Sequence, residues 1–202
     1  MILIFEGCDK AGKSTLINNL RVNTLVDWKI INYKYPTVCP KAAHDIGGQK
    51  ATIREMMIEQ LSSYTTSFKI FKKLTSQHII CDRFWTGEFV YCKIRDYTYP
   101  EMAERKWLKF FLNLTYELSA FIIYVKADPE TIQRRMEKDT KRDYIKSGEV
   151  NLITSEYERI FSILKDMDEY EPSRIIEIDT TNKTKDQSFN EMMKKLAKLG
   201  LF

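Results

Sequence analysis

Four residues near the start of the chain have the types and spacing to hold a polyphosphate. Gly7, Gly12, Lys13 and Ser14 fit G-x-x-x-x-G-K-[ST] within Gly7-Cys8-Asp9-Lys10-Ala11-Gly12-Lys13-Ser14-Thr15. The spacing has a physical reason: four intervening residues wrap the backbone so that successive N–H groups point into one concavity. Gly7 and Gly12 supply conformations that side chains would obstruct, and the helix that follows adds its positive N-terminus. Lys13 would reach the β- and γ-phosphates, and the Ser14 hydroxyl would ligate Mg²⁺. A nucleoside triphosphate site over Gly7–Thr15 is the direct expectation. A second chemical pair, Asp82-Arg83, ends the buried run His78-Ile79-Ile80-Cys81. Ligands of open α/β sheets sit at the carboxyl ends of strands, so this pair should emerge beside the phosphate loop. There Asp82 could hold a water of the Mg²⁺ shell, and Arg83 could fork onto an acceptor phosphate.

Positioning these groups requires alternating elements. Ile2–Phe5, Lys29–Tyr33, His78–Cys81, Phe121–Val125 and Arg174–Ile178 are short runs rich in β-branched and aromatic residues. Most are near-continuously apolar, as strands buried on both faces of a parallel sheet are. Helical patterning falls at Lys13–Leu20, Ile53–Leu61, Met102–Leu118, Ile153–Met167 and Phe189–Leu199. The expected fold is one α/β domain over residues 1–202, a three-layer phosphate-loop sandwich of about five parallel strands flanked by helices.

Composition bounds the rest. The 202 residues are 44% hydrophobic and 30% charged with a net charge of +4, which excludes a disordered or collagen-like chain and suits an anionic ligand. No apolar run approaches the roughly twenty residues of a membrane span, and no basic stripe with interleaved aromatics suggests nucleic acid. Cys8, Cys39, Cys81 and Cys92 form no CxxC pair; free thiols in a reducing cytoplasm are expected.

Phe5-Glu6-Gly7-x-Asp9-x-Ala11-Gly12-Lys13-Ser14-Thr15 resembles the opening of thymidylate kinases, and Asp82-Arg83-Phe84 resembles their Asp-Arg-Tyr/Phe motif. Related deoxynucleoside kinases usually carry Glu-Gly-Asn-Ile-Gly-x-Gly-Lys instead. The resemblance implies that Asp9 holds the acceptor's sugar 3′-hydroxyl. It implies that Lys10 stands at the place of a catalytic Arg, and that Asp82 and Arg83 serve the metal and the acceptor phosphate. Tyr35-Pro36-Thr37-Val38 stands where the family has Phe-Pro-x-Arg, with no Arg at that place. Tyr35, Phe68 and Phe84 are the candidate acceptor contacts; Tyr64, Phe68 and Phe71 fall where the family has an Asn-Arg-Trp helix, and one of these rings could stack on a base. After Asp128-Pro129-Glu130, a basic stretch resembles the entry to the lid of nucleotide and nucleoside kinases, here about residues 134–150. Arg134 and Arg142 are its candidates for stabilising the transferring phosphoryl group.

The activity so implied is transfer of the γ-phosphoryl of ATP, with Mg²⁺, to a deoxynucleoside 5′-monophosphate, thymidylate or a related pyrimidine deoxynucleotide, natural or modified. The partners implied are small-molecule nucleotides and a second copy of the chain. Two alternatives stand beside it. A deoxynucleoside kinase would need a carboxylate base just after the second strand, and Asn32 to Pro40 contains no Asp or Glu. A nucleotide-binding module without turnover would preserve much of the same pattern.

Overall fold

The first strand sets the architecture. In the computed structural model, which describes residues 1–32, 53–74, 76–94, 101–138, 147–167 and 174–202 (53–61, 92 and 94 by backbone alone), β1 spans Ile2–Glu6 and every one of its residues is buried. Burial of every residue requires cover on both faces and a paired neighbour along both edges, and β1 lies at the centre of a five-stranded sheet. The order is β2 (Trp28–Asn32), β3 (His78–Asp82), β1, β4 (Ala120–Lys126), β5 (Ile175–Asp179), and every pairing is parallel. The apolar composition of β1 and β4 suits these inner positions; β2, at an edge, exposes Lys29 and Asn32.

Seven helices flank the sheet among the described residues: α1 (Lys13–Asn23), α2 (Ile53–Lys73), α3 (Thr86–Ile94), α4 (Glu101–Glu117), α5 (Pro129–Glu137), α6 (Val150–Met167) and α7 (Lys185–Lys198). All five expected strands are present, each within about one residue of its expected ends. Helix α2 runs twelve residues beyond the expected Leu61, because Ser62–Lys73 contains no Gly or Pro to end it. Helices α3 and α5 have no counterpart in the expected helices: nine residues each are too few for a clear periodicity.

The core on one side of the sheet is aromatic. Phe84 meets Tyr64 and Phe68 with ring centroids 5.2 and 5.0 Å apart, Phe68 stacks on Phe111 at 6.1 Å, and Trp85 stacks on Phe111 at 5.5 Å. Each ring fully buried there contributes about 1.5–3 kcal/mol by area alone. Helices α4 and α6 are tied by Arg159, whose Nη1 and Nη2 each donate at 2.7 Å to the buried Glu104 while Nε donates to Glu156 at 2.9 Å. No described helix is long and apolar enough to cross a membrane. Cys8 and Cys81 are free and buried, and burial pushes the Cys8 thiol up to about 12. Cys39 lies outside the described residues, as does the Cys92 side chain.

Candidate functional site

Parallel register brings two loops to one end of the sheet. In β1 Phe5 pairs with Asp82 of β3, so the residues that leave the two strands emerge side by side. The loop after β1 turns on three positive φ angles: Gly7 at 137°, Lys10 at 62° and Gly12 at 110°. At Gly7 a side chain has no room, since a Cβ there would fall 2.0 Å from the Val125 carbonyl oxygen. Gly12 then caps α1 without any side-chain hydrogen bond. By contrast α5 is capped by Asp128, whose Oδ1 accepts the Thr131 N–H at 2.5 Å, and α7 begins with a Thr184–Gln187 capping box. The first-turn N–H groups of α1 thus lack the side-chain cap of those helices, as an anion-binding helix end requires.

Lys13 folds back over the loop. Its Nζ donates to the carbonyls of Gly7 at 2.8 Å and Cys8 at 2.7 Å, and only 5% of the residue is exposed. Burial pushes its ammonium down to about 8, and repulsion from Arg83 adds to the shift against the pull of Asp9 and Asp82. Ser14 is exposed at the start of α1, and Asp82 is partly exposed at the end of β3. Among the described residues no cluster of three His, Cys, Asp or Glu could hold a metal ion alone. A hydroxyl and a single carboxylate fit Mg²⁺, which keeps several waters and takes its remaining ligands from phosphates.

Arg83 crosses from the β3 corner onto the loop. Its Nη1 donates to the Gly7 carbonyl at 2.8 Å and to the Tyr157 hydroxyl at 3.0 Å; its Nη2 pairs with Asp9. The guanidinium also lies over the Tyr91 ring, 5.6 Å from its centroid. Although burial opposes ionisation of Asp9, Arg83 and then Lys13 hold its carboxyl below the usual range. The expected corner therefore exists: Gly7, Asp9, Lys13, Asp82 and Arg83 share one end of the sheet.

The other expected residues are placed as follows. Cys8 is buried in the loop, Ala11 is buried beneath it, Thr15 is half-buried in α1, and Lys10 is half-buried at the loop tip. Phe68 and Phe84, at 1% and 2% exposure, sit in the aromatic core behind the site. Arg134 lies in α5 and bonds Thr131 within its own helix at 3.3 Å. Tyr35 and Arg142 lie outside the described residues.

Four residues not singled out beforehand belong to the arrangement. Arg135, one position past Arg134, donates to the Lys10 carbonyl at 3.0 Å and to Thr180 Oγ1 and O at 3.0 and 2.9 Å. Thr180, just after β5, in turn donates to the Ala11 carbonyl at 2.6 Å. Together they buttress the loop from the β5 side, and the position of Thr180 at a strand's carboxyl end was a usable signal. Tyr157 reads in the sequence only as part of the apolar face of α6, and Tyr91 carries no signal at all.

No protein-family model matches the sequence, and no curated protein matches it significantly. Solved structures do match over nearly the whole chain. The YorR protein of Bacillus subtilis, in complex with phosphorylated GDP, is 21% identical with a TM-score of 0.61, covering 98% of this chain and 96% of that one. Deoxyadenosine kinase from M. mycoides with bound dATP is 19% identical with a TM-score of 0.61, covering 98% and 100%. Thymidylate kinase from Candida albicans is 15% identical with a TM-score of 0.54, covering 99% and 92%. The chain thus has the phosphate-loop α/β sandwich fold found in a thymidylate kinase and a deoxyadenosine kinase.

Proposed function

We propose that the protein is an ATP-dependent kinase that transfers the γ-phosphoryl group to a deoxynucleoside 5′-monophosphate, thymidylate or a related pyrimidine deoxynucleotide. The observation that carries this reading is the contact of Arg83 with Gly7 and Asp9: a cation suited to an acceptor phosphate lies against the loop suited to the donor. Lys13 and the α1 N-terminus would take the donor phosphates, Asp9 the acceptor sugar, and Arg83 the acceptor phosphate. Ser14 and Asp82 would hold Mg²⁺, which when bound neutralises donor phosphate charge. A phosphate acceptor is already anionic near neutral pH. Positioning and charge neutralisation are then the chief tasks of these side chains. Lys10 would add charge at the loop tip. Arg134 and Arg142 would do so from a lid over residues 134–150 of this single domain.

The deoxynucleoside kinase reading keeps one specific support, the structural likeness to deoxyadenosine kinase. Purified protein incubated with ATP, Mg²⁺ and a panel of nucleosides and monophosphates separates the two. ADP release with monophosphates alone is the expected result. Release with nucleosides alone establishes the alternative, and no release with any acceptor leaves a binding module. We further propose a cytoplasmic homodimer, for which α4 exposes Met102, Trp107 and Phe110 beside its buried Leu108, Phe111 and Leu112.

A further inference from the structure

Glu6, the last residue of β1, is wholly buried, and none of the roles above requires a carboxylate there. Its Oε1 accepts the Phe84 N–H at 2.8 Å. Its Oε2 lies near the start of α3, 3.5 Å from where a Cβ on Gly87 would be. Burial raises its pKa against the pull of Arg83, the Phe84 N–H, Lys13 and the Gly87 N–H. A buried carboxylate is costly unless hydrogen bonds and nearby cations compensate it.

What it touches is the turn that carries Arg83. Arg83 has φ of 67°, a left-handed conformation that is unfavourable for a side-chain-bearing residue. Such strain persists where the surroundings over-determine it. Here the N–H groups on both sides of the Arg83 Cα are anchored to consecutive residues of β1: Arg83 N–H to the Phe5 carbonyl at 2.9 Å, and Phe84 N–H to Glu6. The first bond continues the parallel ladder and needs no special residue. The second exists only because position 6 bears an acceptor long enough to reach across to the turn.

We propose that Glu6 is a positioning residue, which by accepting the Phe84 N–H locks the left-handed turn at Arg83 and aims the guanidinium over the phosphate loop at the acceptor. The inference rests on the kinase reading for its consequence in turnover, but the bracing itself can be measured without turnover.

The test compares Glu6→Leu, Glu6→Gln and the unaltered full-length chain. A misplacement of about 1 Å costs on the order of a hundredfold in rate. Glu6→Leu is therefore expected to lower kcat/KM for the acceptor by about a hundredfold while ATP affinity changes less than about threefold. Glu6→Gln, which keeps an oxygen for the Phe84 N–H, is expected to recover to within about tenfold. Amide hydrogen exchange supplies the second readout: Phe84 stays protected in the unaltered chain and in Glu6→Gln, and exchanges at least about tenfold faster in Glu6→Leu. Unchanged protection in Glu6→Leu overturns the inference, as does a parallel fall of ATP affinity and acceptor efficiency. Should Glu6→Leu not fold, Glu6→Gln decides: a protected Phe84 and near-normal acceptor efficiency sustain the inference, and a hundredfold loss refutes it. If the unaltered chain phosphorylates no acceptor while Phe84 exchange follows the expected pattern, the kinase reading fails and the brace stands.

Discussion

Lys13 is the residue on which the proposed chemistry turns, and its surroundings make its behaviour specific. Its ammonium donates to two loop carbonyls, so a polyphosphate that engages it competes with Gly7 and Cys8. Lys13→Ala removes the cation without filling space, and is expected to lower phosphoryl transfer by at least about a thousandfold. Circular dichroism and the thermal midpoint should show the fold retained; near-normal turnover would overturn the site. The depressed pKa adds a pH signature. Above about pH 8 the free Lys13 loses its proton, whereas the phosphate-bound form retains it, so binding takes up a proton. ATP affinity should accordingly weaken as pH rises through about 8, by up to about tenfold per unit, and Lys13→Ala should lack this dependence. Calorimetry in buffers of different ionisation enthalpy would read the proton directly.

At the scale of elements, close backbone approach decides which changes are tolerated. Gly7→Ala drives a Cβ into the Val125 carbonyl and imposes a φ of 137° on a side-chain-bearing residue. The expected cost is about 3 kcal/mol or more, seen as a fall in the urea midpoint together with loss of ATP binding. Gly87→Ala meets the Tyr157 hydroxyl at 3.4 Å, Glu6 Oε2 at 3.5 Å and Tyr91 Cδ2 at 3.9 Å, all ordinary contacts with side chains in a helix that favours Ala, and should cost less than about 1 kcal/mol. The tie between α4 and α6 offers a contrasting case, for Arg159 pairs with Glu104 and Glu156 rather than with the phosphate loop. Arg159→Ala leaves the buried Glu104 and Glu156 without their guanidinium, a loss of about 2–3 kcal/mol after allowing for its partly exposed side chain. Chemical denaturation should show that loss with KM for ATP unchanged.

For the whole molecule, the site draws on elements spread across the chain: β1 and its loop, the β3 corner, α5, α6 and the segment after β5. A ligand that engages the loop must therefore stabilise the fold as a unit. At a hundredfold excess over its Kd, ATP with Mg²⁺ contributes about 2.7 kcal/mol, which for a domain of this size raises the thermal midpoint by roughly 5–11 °C. A shift under about 1 °C at saturating ATP would count against the donor site.

Local chemistry was legible from residues alone. The Gly7–Thr15 spacing specifies a backbone concavity, and continuous apolar runs specify buried parallel strands, because both depend on neighbours within a few positions. Even the meeting of Asp82-Arg83 with the loop followed from a topological rule for open sheets. Which charged side chain turns inward was settled only by packing. Arg135 rather than Arg134 reaches the loop because adjacent helical positions point about a hundred degrees apart, and only the placement of α5 against Thr180 selects between them. Tyr157 and Glu6 join the Arg83 turn from distant parts of the chain, and a contact across 74 positions leaves no periodic trace in either segment.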